Sequence, residues 1–349
     1  MFGRTWCQID LGVIKQNYLN CKNRLLSGQK IMAVVKANAY GHGGAQIAKI
    51  LQEQGCNSFA VATALEGVNL RQNGVKGLIL VLGYTPPSEF LTLCKFDLSQ
   101  SVFSREYASI LRACGRRVKA HIAVDTGMNR IGFDCADIDF INDCAKWFSV
   151  EGIYTHLATA DGDGNFTNLQ IERFKSVLSG LKFSPQFVHY ANSKGFENFN
   201  CGFANFARLG ISLYGLGDCK GVAPALTWKT AVIAVKEIKA GDSVGYGRAF
   251  VAKKAMKIAT LACGYADGYS RGLSNLGKVA IGGKLAPVVG RVCMDMLTID
   301  ASEVGNISVG DDAVLLGEKY SAKDMATALN TIDYEVVSRI SSRVERMYV

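Results

Sequence analysis

Between residue 30 and about residue 215 the chain alternates short apolar runs with segments of helical period, and this alternation constrains the fold more than any other feature. The runs are KIMAVV (30–35), SFAVAT (58–63), LILVLG (78–83), LSQSVF (98–103), VKAHIAVD (118–125), VEGIYTH (150–156), QFVHYAN (186–192) and ARLGISLY (207–214). Each has the length of a strand. Between them, AQIAKILQEQ (45–54), REYASILRACG (105–115) and LQIERFKSVLSGL (169–181) repeat apolar residues at spacings of three and four, which predicts helices. Strands that alternate with helices build a parallel sheet, and eight such units predict a closed (β/α)8 barrel of the TIM type.

After about residue 220 the texture changes. The runs AVIAVKEIKAGDSVGYG, KIATLACGYADG, KVAIGGKLAPVVGRV and DDAVLLGE are short, β-branched and punctuated by glycine, the pattern of a mainly antiparallel β domain. The predicted division is a barrel over 10–222 and a C-terminal β domain over 223–349, with SAKDMATALN (321–330) as a helix on the latter. RTWCQI (4–9) is strand-like and precedes a helix from about Leu11 to Leu26, so residues 1–9 need not belong to the barrel.

Composition narrows the functional classes. No stretch approaches the roughly 18–20 uninterrupted apolar residues that span a bilayer. MFGRTWCQIDLG also lacks the basic-then-apolar pattern of a secretory signal, so a cytoplasmic chain with no membrane partner is expected. Eleven cysteines without a C-x-x-C pair predict reduced, mostly buried thiols and no metal site. The net charge of +9 is dispersed, and its densest patch, RISSRVER (339–346), reads as a solvated helix face, so no nucleic-acid partner is expected.

Barrel enzymes collect their chemistry at the carboxyl ends of the strands, and several suggestive residues fall there. Lys36 follows KIMAVV inside AVVKANAYGHG (33–43). At the rim of an apolar core an amine loses solvation for its charged form, which favours the neutral nucleophile and Schiff-base chemistry; a snorkelling strand-end lysine is the alternative. Arg130 lies in DTGMNRIGF, His156 closes VEGIYTH, Asn192 and Ser193 close QFVHYANS, and Arg208 lies in ARLGISLYG. Taken singly, each has a structural explanation. Taken together they can converge on one ligand.

The segments AVVKANAYGHG, DTGMNRIGF, YTHLATAD, HYANS, ARLGISLYG, VGYGRAF, GYADGYSR, GRVCMD and IDYEVVSRI resemble, in order, those of the bacterial alanine racemases. That family is barrel-type and pyridoxal phosphate-dependent. The resemblance implies a homodimeric isomerase with shared active sites that interconverts L-alanine and D-alanine, supplying D-alanine for peptidoglycan. It also implies that the first strand joins the C-terminal β domain. By the resemblance Lys36 would hold pyridoxal 5'-phosphate covalently, while Tyr40, Ser193, the N–H groups of Gly210 and Ile211, and Tyr334 would receive its phosphate. Arg208 would stand beside the pyridine nitrogen with His156 holding it, and Asn192 would lie against the cofactor. Arg130 would contact the cofactor's phenolic oxygen and the substrate carboxylate, two anionic acceptors that one planar fork can serve. Racemisation needs a base on each face of Cα. Lys36 would be one, and Tyr246, from the partner subunit, the other. Since free tyrosine titrates near pH 10, that role calls for a cationic neighbour or a proton relay. Met294, Tyr265 and Asp295 would meet the substrate, and Arg271, Arg291 and Asp161 resemble residues of the family's entrance.

One position departs from the family pattern. Ala123 stands where many members carry a carboxylated lysine that orients the arginine corresponding to Arg130. Alanine cannot supply that charge, so another group or a bound anion must orient Arg130, or it is held less firmly. A serine or broad-specificity amino acid racemase is therefore an alternative reading. A pyridoxal phosphate decarboxylase and a non-catalytic pyridoxal phosphate carrier are two others; the first calls for a carboxylate in place of Arg208, the second for a barrel without a β domain.

Overall fold

The structure of the chain is a computed structural model that describes residues 3–349. The backbone divides into two compact units, one of residues Ile14–Ala223 and one of the segment up to Val13 together with Pro224–Val349.

In the first unit each of the eight apolar runs forms a strand. These are Lys30–Val34, Ser58–Val61, Leu78–Val81, Ser99–Val102, Lys119–Asp125, Ser149–Tyr154, Phe187–His189 and Phe206–Leu209. All pair in parallel, each with the next along the chain; Phe206–Leu209 pairs back to Lys30–Val34 and closes the barrel. Most of the strands are shorter than the apolar runs that foretell them. The last run stops at Leu209 because Ile211–Tyr214 tighten into a 3-10 turn, with Gly215 in the left-handed region behind it. Helices fill the crossovers. Ser104 and Thr63 cap two of them, and Gly164–Ser179 begins five residues before the periodic pattern does, because Asp163 accepts the Phe166 N–H.

The barrel core has two chemical halves. Met32, Val34, Ala60, Leu80 and Phe206 make an apolar cluster from four neighbouring strands. The strands on the other side carry the buried polar residues Ser99, Ser101, His121 and His189, together with Tyr154. Buried polar groups require partners, so this half is wired by hydrogen bonds.

In the second unit the 13-residue strand Leu226–Ile238 is central. It pairs antiparallel with Thr5–Ile9, Met256–Leu261 and Asp312–Leu316. Thr5–Ile9 also pairs in parallel with Glu345–Tyr348, so the first described strand is an interior member of this sheet. Alternate residues of Leu226–Ile238 are buried along its first half, as expected for a sheet with one covered face. The helix Ala322–Leu329 starts on a capping box between Ser321 and Asp324. Among the described residues no helix is long and apolar enough to cross a membrane.

Candidate active site

Arg208 is the centre of the polar half. It is 3% exposed, and its guanidinium donates to four acceptors. These are His189 Nδ1 at 2.7 Å, the Thr155 carbonyl at 2.9 Å, His156 Nδ1 at 3.1 Å and the Tyr190 carbonyl at 3.1 Å. Among the described residues no carboxylate pairs with it. Burial lowers its pKa to about 10, and the Arg130 charge acts in the same direction, yet it remains a cation at neutral pH. His156 and His189 are held neutral, first by burial and then by the Arg208 charge. His156 therefore serves Arg208 as an acceptor.

Lys36 leaves the strand Lys30–Val34, whose Met32 lies in register with Arg208. Burial lowers its pKa, Arg130 and Arg208 lower it further, and Glu66 opposes them. The residues after it are unusual. Ala37, Asn38, Ala39 and Tyr40 all have φ between 51° and 54°, a turn of left-handed helix without a glycine. Such backbone costs roughly 1–2 kcal/mol per residue, so specific bonds must hold it. Glu66 accepts the Ala37 N–H at 2.7 Å and, through its other oxygen, the Ala62 N–H at 2.8 Å. Asn38 accepts the Gly44 N–H at 2.7 Å. Glu66 is a positioning residue that the sequence patterns do not single out.

The left-handed turn delivers Tyr40 to Gly210. A side-chain carbon on Gly210 would lie 2.8 Å from the Tyr40 hydroxyl, so only glycine admits this approach. The ring of Tyr40 packs on Tyr214, whose hydroxyl donates to the Val34 carbonyl. Ser193 Oγ accepts the N–H groups of Gly210 and Ser212 at 3.2 and 3.3 Å, with Ile211 between them. Asn192 has a structural task, since its side-chain oxygen caps the helix Ser193–Asn198 by accepting the Gly195 N–H. Lys36, Tyr40, His156, Asn192, Ser193, Arg208, Gly210 and Ile211 thus all belong to the strand ends of one barrel. Arg130 lies on an exposed loop beyond Lys119–Asp125 and makes no hydrogen bond or ion pair with any described residue. Ala123, on that strand, is buried.

Tyr246, Tyr265, Met294, Asp295 and Tyr334 belong to the other unit. Tyr246 begins a 3-10 turn after Gly245 (φ 73°) and is 71% exposed. A Cβ on Gly247 would sit 3.2 Å from the Arg291 guanidinium, so this turn rests against a cation. Three residues on, Met294 is 53% exposed. Gly264 lets the segments cross closely, because a side-chain carbon there would meet the carbonyls of Cys293 and Met294 within 2.4 Å. The Tyr265 and Ala266 N–H groups accordingly donate to those carbonyls at 3.0 Å. Asp295 pairs with Arg343 at 2.8 Å. A cleft of about 460 Å³ is lined by Tyr265, Ser270, Arg271 and Arg339, among others. Tyr334 lies on the helix Asp333–Ser338, half-buried.

A desolvated lysine, a buried guanidinium and a serine-and-glycine turn gather at the strand ends of a (β/α)8 barrel, where enzymes of this fold class place their sites. Known proteins narrow this class. Residues 9–218 match the family model of the alanine racemase N-terminal domain, and residues 225–348 that of the C-terminal domain. The chain is 42% identical to an alanine racemase of Halothermothrix orenii, with 99% of this chain and 96% of that protein covered. It superposes on the Clostridium difficile 630 alanine racemase with a TM-score of 0.95 at 35% identity, covering 100% and 96%. With a Bartonella henselae alanine racemase bearing covalently bound pyridoxal phosphate, the TM-score is 0.91 at 28% identity, covering both chains fully. The chain belongs to the alanine racemase family.

Proposed function

We propose that the chain is a pyridoxal phosphate-dependent alanine racemase that interconverts L-alanine and D-alanine, acting in the cytoplasm to supply D-alanine for peptidoglycan. The observation that carries this reading is the pairing, in a member of this family, of a charge-disfavoured Lys36 with a buried Arg208 that no carboxylate of the described residues neutralises.

The residues fit the cofactor. Gly210, which cannot bear a side chain, lies against Tyr40 and Ser193 in a nest of N–H and O–H groups suited to a phosphate. Tyr40, Ser193, Gly210, Ile211 and Tyr334 would hold that phosphate, and Asn192 would lie against the cofactor. Bound pyridoxal phosphate supplies an electron-withdrawing ring that makes a substrate Cα proton removable. Arg208 would face the ring nitrogen. A guanidinium only donates, so Arg208 in that place would limit the charge the ring could draw from Cα and would favour return of the proton there. His156 positions Arg208.

Lys36 and Tyr246 hold the Cα proton on opposite faces. A single base returns a proton to the face it came from, so inversion needs both. Arg291 lies against the turn that carries Tyr246. Arg130 binds the substrate carboxylate, with Met294, Tyr265 and Asp295 around the substrate. Tyr246 and Met294 act from the partner subunit of a homodimer, and their exposure within one chain supports that reading. A monomer with full activity would overturn it.

The deciding experiment incubates the protein and pyridoxal phosphate with L-Ala, L-Ser and L-Lys and follows D-isomer formation. Alanine is expected to dominate. Arg130 has no described hydrogen-bond partner to fix it, and this favours broader specificity as the second reading; serine turnover rivalling alanine would establish it. Borohydride should abolish the visible cofactor band and leave its label on Lys36.

A further inference from the structure

One part of the barrel's polar half has no place in the function proposed above. His121 projects from Lys119–Asp125 and His189 ends Phe187–His189, with the strand Ser149–Tyr154 between them. His121 is in register with Gly152. A Cβ at Gly152 would lie 2.5 Å from His121 Nδ1, so the imidazole occupies the place of the missing side chain. Across this gap His121 Nδ1 reaches His189 Nε2 at 2.9 Å. Tyr154 stacks on His189 at 4.9 Å and 6°, which fixes the plane of that ring.

The donors order the protons. A guanidinium has no acceptor, so His189 Nδ1 accepts from Arg208 and the His189 proton sits on Nε2. His189 Nε2–H then donates to His121 Nδ1, which leaves the His121 proton on Nε2. That nitrogen is fully buried and has no hydrogen-bond partner among the described residues. Burial, then the Arg208 charge, depresses the basicity of His121 and keeps it neutral. Three buried groups thus point one way, from the guanidinium inward.

We propose that His121 is a positioning residue for Arg208, acting through His189 across the gap at Gly152. Without an acceptor at position 121, the buried His189 Nε2–H is left unpaired, and the ring that gives Arg208 its shortest hydrogen bond is held less firmly. The consequence for catalysis rests on the reading that Arg208 faces the cofactor ring; the relay itself does not.

The test has two arms on the full chain. Nitrogen NMR of the ring atoms, with and without pyridoxal phosphate, is expected to find His121 and His189 neutral and protonated on Nε2. A His189 proton on Nδ1, or a doubly protonated His121, would overturn the proposal. In the second arm His121→Leu, His121→Asn and Gly152→Ala are loaded with pyridoxal phosphate. The asparagine oxygen can stand where Nδ1 stands, leucine cannot accept, and the alanine methyl displaces the ring. His121→Leu and Gly152→Ala should shift the visible band of the bound cofactor. Their kcat should fall on the order of 10-fold, the lower end for outer partners of a charged site, with KM nearly unchanged. His121→Asn should restore both. Leucine and asparagine variants that behave alike would overturn the proposal. If the unmodified protein gave no borohydride-sensitive band, the cofactor reading would fall, and the NMR arm would still decide the relay.

Discussion

Arg208 in the barrel is 3% exposed and committed to four acceptors, whereas Tyr246 in the β unit is 71% exposed on a turn set by glycines. Met294 resembles Tyr246 in this, and Ser193 resembles Arg208. The difference separates two ways of making a site. The barrel residues are oriented by their own fold before any ligand arrives, so altering them disturbs stability as well as chemistry. The β-unit residues are presented rather than held, and on the homodimer reading a second copy supplies their surroundings.

The largest expected effect is kinetic. Tyr246→Phe should bind pyridoxal phosphate and turn yellow while kcat/KM for alanine falls about 10²- to 10⁴-fold, and its melting midpoint should match the parent's. An undiminished rate would sink the two-base account, and a large loss of stability would break the contrast drawn here. On the barrel side, Ser193→Ala leaves the Gly210 and Ser212 N–H groups without their acceptor, and Glu66→Ala does the same to Ala37 and Ala62. Each should lower unfolding free energy by about 1–3 kcal/mol, measured by denaturant titration without cofactor.

A smaller effect concerns acid. The pKa of His121 is lowered to about 3 in the folded chain, and His156 and His189 are lowered too, against about 6.5 when unfolded. The unfolded chain binds more protons in that window, so stability is full above about pH 6.5 and falls as the pH drops toward 3. His121→Asn should reduce the slope of stability against pH there by close to one proton; an unchanged slope would show that His121 is not buried neutral. The smallest effect is Met294→Ala, which should change stability by no more than about 0.5 kcal/mol while altering KM for alanine.

The sequence makes the strand ends legible because apolar runs locate the strands, and a barrel places function at their termini. Lys36, His156 and Arg208 stand out for that reason. The His121–His189 relay does not, because HIAVD reads as an ordinary strand with one histidine, and its partner lies two strands away. The mid-strand Gly152 was the available signal, since glycine inside a strand marks a close approach. The left-handed turn escapes for the opposite reason. Ala37, Asn38, Ala39 and Tyr40 include no glycine to announce positive φ, and the bonds that pay for it come from elsewhere, chiefly Glu66. Helix starts escape the pattern where a cap such as Asp163 precedes residues with no apolar period.

That turn makes the lysine motif non-portable. A peptide of residues 30–44 would lack Glu66, and its ANAY stretch would relax to right-handed or extended backbone, scattering the amine and the phenol. Grafting AVVKANAYGHG onto another barrel would transfer letters without geometry unless a carboxylate from the next βα unit came with it. The motif is thus one half of a two-part lock, and its second half is Glu66.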